Sequence, residues 1–195
     1  MSLIDQIKGW FETPFDNPTA LSLYRSIVAQ SRLPIFYDSY GVADTPDGRY
    51  DLVALHAFLV MRRLKSGGED AIVLSQALHD LMFADMDQNL REMGIGDHGM
   101  PKRMKKLAEG FRGRIMSYDM GLDATEPQEI ESALRRNLYR KTEPSDATVG
   151  KMARYMRLQD AHLAEIETSR LLAGDMTFMA PGAPGKGDTG KKGAA

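Results

Sequence analysis

Helical periodicity, cut at intervals by proline and glycine, constrains this chain more than any other feature. Apolar residues recur at i, i+3 and i+4 through most of its length, and each such run stops at a helix breaker. Alternating Val/Ile/Thr runs bounded by hairpin dipeptides are missing, so no strand is predicted. The pattern predicts an all-α fold, a single globular multi-helix domain of about six to eight helices.

The punctuation gives the segments. Leu3, Ile4, Ile7 and Phe11 share one side of a short amphipathic helix, with Trp10 at its edge, in an N-terminal element over residues 1–15. The helical domain is assigned to 16–175. Pro14 and Pro18 punctuate the chain, and a helix is expected over 18–31, with Leu21, Tyr24, Ile27 and Val28 inward. Pro34 ends it, and 35–48 reads as a short helix plus loop. Residues 49–65 are apolar over much of their circumference and predict a buried central helix, stopped by Gly67-Gly68. The helix over 69–93 is expected to bend or break near Asp85. That residue falls on the side of Leu74, Leu78 and Leu81, where a bare carboxylate is costly, and Asp85 with Gln88 resembles a capping box. Gly94, Gly96 and Gly99 form a connector. Pro101 suits the first turn of a helix to about Met120, and Pro127 that of a helix over 126–141. Pro144, Ser145 and Asp146 open a last long helix to about Ala173. A Gly/Pro/Lys-rich tail over 176–195 lacks large apolar residues beyond Met179 and predicts disorder.

Composition removes several classes of function. A chain of 195 residues can bury a useful core without staples. With no cysteine it has no disulfide, thiolate metal site or thiol nucleophile. A formal net charge of -2 supplies no global field for nucleic acid or anionic lipid, so any electrostatic partner needs a local patch. The first residues lack the basic and apolar regions of a signal peptide. No stretch reaches the roughly 18 apolar residues of a membrane span. The expectation is a cytoplasmic protein, peripheral at most on the inner (cytoplasmic) membrane.

Catalytic constellations are weak, and neither a catalytic residue, a metal nor a cofactor is assigned. None of the four histidines sits in Glu-x-x-His or His-Glu-x-x-His, the spacings that let one helix face two ligands to a metal, and His162 with Glu165 is the only close His–Glu pair at helical spacing. His162 with Glu165 reads as a solvated pair. His56 shares a face with Leu52, Leu59 and Val60, which predicts a hydrogen-bonded core histidine; ordering the Arg49–Asp51 turn or lining a groove is its functional alternative. Asp80, Asp85 and Asp87 lack calcium-loop spacing, and on one continuous helix Asp85 points away from the other two. The glycine cluster at 94–99 follows no strand, so it is no phosphate loop.

Surface chemistry suited to binding is more prominent. Gln76, Asp80, Asp87 and Arg91 form one polar stripe if their helix is continuous, either a solvated or a recognition face. After Pro101, Met104, Leu107, Ala108, Phe111, Ile115 and Tyr118 form an apolar stripe. Lys102, Arg103, Lys105, Lys106, Arg112 and Arg114 occupy the rest, against Glu109. This basic patch suits an acidic partner, anionic lipid or ribosomal RNA. Of 13 methionines, Met82, Met86, Met93, Met100 and Met104 crowd one region, as core gap-fillers or as an adaptable apolar surface.

At these residues the sequence resembles the ubiquinol–cytochrome c chaperone family. The likeness runs over about 20–140, through Gly48-Arg49-Tyr50-Asp51-Leu52, His56, and Ser75 to Asp80. Its most specific stretch runs from Phe83 to Lys105, including Leu90-Arg91-Glu92-Met93-Gly94-Ile95-Gly96-Asp97 and Pro101-Lys102-Arg103. The resemblance implies a non-enzymatic assembly chaperone that binds newly made cytochrome b during biogenesis of the cytochrome bc1 complex. Mitochondrial members work with a small partner protein, contact the ribosome near its exit and carry an anchored N-terminal extension. This chain begins almost at the domain, which suits a bacterial-type member. Combining likeness and residue chemistry, Asp80, Phe83, Asp87, Arg91, Glu92 and Asp97 are the expected client or partner surface. Lys102, Arg103, Lys105, Lys106, Arg112 and Arg114 are expected to contact ribosome, lipid or partner. Arg49, Asp51, His56 and Asp85 are expected to support the fold. The alternative function is a ribosome-, RNA- or anionic-membrane-binding module using the basic helix, without sequence-specific nucleic-acid recognition.

Overall fold

A computed structural model describes residues 14–94, 96 and 99–182. The expected N-terminal helix with Trp10 and Phe11, the tail from residue 183 and Asp97 lie outside the described residues. Among the described residues there are eight α-helices and no strand: α1 (Pro18–Ser31), α2 (Ile35–Asp38), α3 (Pro46–Lys65), α4 (Glu69–Glu92), α5 (Met100–Asp123), α6 (Pro127–Asn137), α7 (Asp146–Ala164) and α8 (Thr168–Leu172). A 3-10 turn, Pro14–Asp16, precedes them.

Helix starts follow their local chemistry. Asn17, Thr45 and Ser145 each accept a hydrogen bond from a backbone N–H three residues on, and proline stands in the first turn of α1, α3, α5 and α6, where its missing N–H costs nothing. From Asp51 to Val60 every residue of α3 is buried, so this helix is the centre of the molecule. Helices α1 and α4 pack on one flank and on each other; α7 covers the other flank, and α5 and α6 close the remaining side. Gly121 lets α5 approach α6, since a Cβ there would stand 2.8 Å from the Ile130 Cα.

Four expectations need correction. Helix α4 is unbroken from Glu69 to Glu92. Its Asp85 carboxylate accepts a hydrogen bond from the Tyr24 hydroxyl at 2.7 Å, which removes the cost that suggested a break, while Gln88 bonds Glu92 rather than capping a new segment. The helix expected over 126–141 ends at Asn137. The last long helix ends at Ala164, and after a turn the chain resumes as α8. Residues 176–179, grouped with the tail, lie on the domain: Met176 is buried, the Phe178 ring meets His56 edge-on at 5.2 Å, and Gln159 holds the Met179 backbone at both N–H and C=O.

Candidate interaction face and its buried supports

Two buried polar clusters fix the helices that carry the candidate site. In the first, Asp51 of α3 accepts a hydrogen bond from Arg114 of α5 at 2.6 Å and is also gripped by Arg140 from the α6–α7 connection at 3.0 Å. Burial pushes the Asp51 carboxyl up, against the two guanidiniums that hold it down. Arg114 is only 7% exposed and its guanidinium lies 5.4 Å from the Tyr50 ring centre. This corrects the basic patch, of which Arg114 is no part: its charge is committed to Asp51. Arg49, expected among the supports, instead makes an exposed pair with Asp44 at 2.7 Å.

In the second cluster His56 is fully buried. Its Nδ1 lies 2.8 Å from the Leu52 carbonyl and 3.1 Å from the Ser31 hydroxyl, and its Nε2 2.8 Å from the Tyr155 hydroxyl. Tyr155 also accepts from the Gln30 amide at 2.9 Å. Burial holds the imidazole down at about 4, so it is neutral at ordinary pH. Neither Arg49 nor Asp51 is among these partners, so His56 ties α3 to α1 and α7.

The exposed face between α4 and α5 has a different character. Phe83 of α4 stacks on His79 at 4.6 Å and meets Phe111 of α5 edge-on at 5.8 Å. Phe83 is therefore half-buried and joins the two helices. Toward the start of α4 a groove of about 380 Å³ opens between α3, α4 and α5. Phe58, Met61, Ile72 and Ile115 supply its apolar surface, and Arg62, Gln76, His79 and Asp119 belong to its polar lining. Ile72, in the groove lining, is 55% exposed, and Val73 of α4 and Met116 and Met120 of α5 are exposed by 61 to 71%. Arg62 is locked in place by Asp119, by Asp123 at 2.5 Å and by Asp160 at 3.0 Å.

On the outer side of α4 the predicted stripe is continuous. Gln76 bonds Asp80 at 2.8 Å, and Arg91 bonds Asp87 at 2.6 Å. Glu92 is exposed and holds Gln88 at 3.1 Å. On α5, Lys102, Arg103, Lys105, Lys106 and Arg112 are exposed; Glu109 lies 4.0 Å from Lys105. Among the described residues no group of acids and histidines could hold a metal, and no helix is long and apolar enough to cross a membrane.

A model of the ubiquinol-cytochrome C chaperone family matches residues 38–178. The chain belongs to this family. The match begins at Asp38, the end of α2, and runs through α8 to Phe178; it extends past the expected 20–140 likeness to include α7 and leaves out 20–37. Among curated proteins, the chain is 23% identical over 153 residues to ubiquinol-cytochrome c reductase complex assembly factor 1 of Mus musculus, covering 78% of this chain and 52% of that protein. It is 24% identical to the Xenopus laevis counterpart, over 78% of this chain and 76% of that one. The chain thus spans about half the length of the mouse relative. Among solved structures, the Cbp3 homolog from Brucella abortus superposes with a TM-score of 0.76 at 36% identity, covering 92% of this chain and 97% of that one.

The groove and the exposed methionines of α5 are not among the sequence expectations. A signal existed: Met116 and Met120 fall off the Phe111–Ile115–Tyr118 stripe and so point outward. In the crowded region 82–104, Met82 and Met100 are buried, Met86 and Met104 are partly buried, and Met93 is exposed.

Proposed function

We propose that this protein is a non-catalytic assembly factor for the ubiquinol–cytochrome c reductase complex (complex III) that binds newly made cytochrome b. The observation that carries the reading is the apolar groove between α3, α4 and α5, in a chain of this family whose α4 and α5 also expose Ile72, Val73, Met116 and Met120. Flexible thioethers accommodate apolar segments of varied shape, which suits the holding of membrane helices before assembly. The Asp80, Asp87, Arg91 and Glu92 stripe borders this face and supplies orientation through charge. Binding without turnover needs no more chemistry than this.

Crosslinked affinity purification from the native host tests it, with wild type and an Asp80→Lys/Arg91→Glu variant compared by mass spectrometry. Enrichment of cytochrome b that the variant loses supports the reading. Abundant unrelated partners without cytochrome b overturn the client assignment. A small partner protein, if one serves this chain, is identified by the same experiment.

A second reading has its own observation, the four exposed cations Lys102, Arg103, Lys105 and Lys106 at the start of α5. It places the protein at the ribosome or on anionic membrane. Reversing Lys102, Arg103, Lys105 and Lys106 to Glu then abolishes a strongly salt-dependent association with ribosomes or acidic vesicles while client capture persists.

A further inference from the structure

One exposed face of α5 advances in alternating steps of four and three residues: Lys102, Lys106 and Glu109, then Gly113, Met116, Met120 and Asp123. That is the spacing by which a helix keeps a single seam turned toward a neighbouring helix. Charge runs unevenly along it. Residues 102–114 carry six lysines and arginines against Glu109, and residues 115–131 carry five acids and no cation. Arg114 is turned inward to Asp51, while Lys102, Arg103, Lys105, Lys106 and Arg112 are exposed. At the far end Arg62 and Lys65 offset part of the charge of Asp119, Asp123 and Asp160, and exposed Glu126 and Glu129 add to it.

A helix that is basic at one end and acidic at the other is complementary to itself when reversed. A closed two-fold pair of copies reverses it in this way, since each copy presents the same patch to the other. We propose that the occupant of this face is a second copy of the chain, packed antiparallel along α5 about an axis beside Gly113. Lys102 then meets Asp123 of the second copy at both ends of the seam. Met116 and Met120 lie over the aliphatic stems of the second copy's Glu109 and Lys106. Arg112, next to the axis, reaches the second copy's Glu109. Gly113 suits the crossing point: a Cβ there would meet nothing within 4 Å, so the fold itself has no need of a glycine that weakens the helix. A parallel neighbour would instead set cations on cations. The pairing covers Met116 and Met120, so it would compete with an apolar client for them, a consequence that rests on the proposed client reading.

Sedimentation equilibrium of the purified full chain tests the pairing with no client present, so it can fail while the client reading stands. The weight-average mass should climb from 21.7 kDa toward twice that value between about 1 and 100 µM, and raising salt from about 0.05 to 0.5 M should weaken association about tenfold. Lys102→Glu and Asp123→Lys should each leave the chain monomeric. An equimolar mixture of the two should dimerise again, because in the mixed pair both 102–123 contacts join opposite charges. Arg62 keeps Asp119 and Asp160 in the second variant, so its fold should survive. The chain has no cysteine, so an introduced thiol reports position alone. Gly113→Cys, beside the axis, should oxidise to a covalent dimer, and Lys102→Cys, about 30 Å from its own copy, should not. A monomer throughout the concentration range, a mixture that stays monomeric, or equal crosslinking at the two positions would each overturn the assignment.

Discussion

The interior around α3 and the face between α4 and α5 use polar residues in opposite ways. In the interior the polar bonds between helices join distant parts of the chain: Asp51 with Arg114 across 63 residues, Asp51 with Arg140 across 89, His56 with Tyr155 across 99. On the outer face of α4, Gln76–Asp80, Asp87–Arg91 and Gln88–Glu92 each join residues four apart on one helix. Long-range bonds specify which helices meet. Bonds within one turn ask nothing of the rest of the fold, so a partner can replace them at little cost to stability. The difference separates a scaffold from a surface left open to exchange.

The sharpest way to break this contrast is to remove one partner from each side. Asp51→Asn leaves two arginines facing a buried neutral amide, and the loss should be about 3–5 kcal/mol, read as a lower midpoint in urea unfolding. The matching change on the face, Asp87→Asn, should cost no more than about 0.5 kcal/mol. Comparable losses at the two sites would end the distinction.

Next in size is a pH effect confined to the interior. His56 is held near 4 in the folded protein, against an ordinary value of 6.5 in the unfolded chain. Below pH 6.5 the unfolded chain takes a proton that the folded one refuses, so stability falls as pH drops from 6.5 toward 4. The displacement corresponds to a loss on the order of 3 kcal/mol. Urea midpoints across this window should fall more steeply for the wild type than for His56→Gln. Parallel curves would mean that the buried imidazole is not what titrates.

The same division explains what could be read from sequence. Helix positions were legible because proline, glycine and capping side chains act within a turn, and His56 was legible because its neighbours at helical spacing are all apolar. Asp85 and Arg114 were not. Each looks wrong or exposed on its own helix, and the residue that resolves it, Tyr24 or Asp51, stands more than 60 positions away. Arg114 lies among true surface cations and shares their spacing; only its distant carboxylate separates it from them. The groove was illegible for a related reason. Its floor comes from α3, and its walls from α4 and α5, so no single periodic stripe announces it.

The smallest expected stability effect belongs to the face itself and discriminates best between scaffold and binding surface. Met116→Glu with Met120→Glu replaces two exposed side chains that make little packing contribution, so unfolding should shift by no more than about 0.5 kcal/mol. Capture of cytochrome b, measured by crosslinking yield in the native host, should nevertheless fall about tenfold, because two carboxylates would have to be desolvated against an apolar segment. The charge change also tells the two proposed functions apart. Contact through the basic start of α5 would lose only part of its electrostatic attraction, and that part would be restored at lower salt. Loss of capture that low salt does not restore places the client on the methionine face; recovery at low salt places it on the cations.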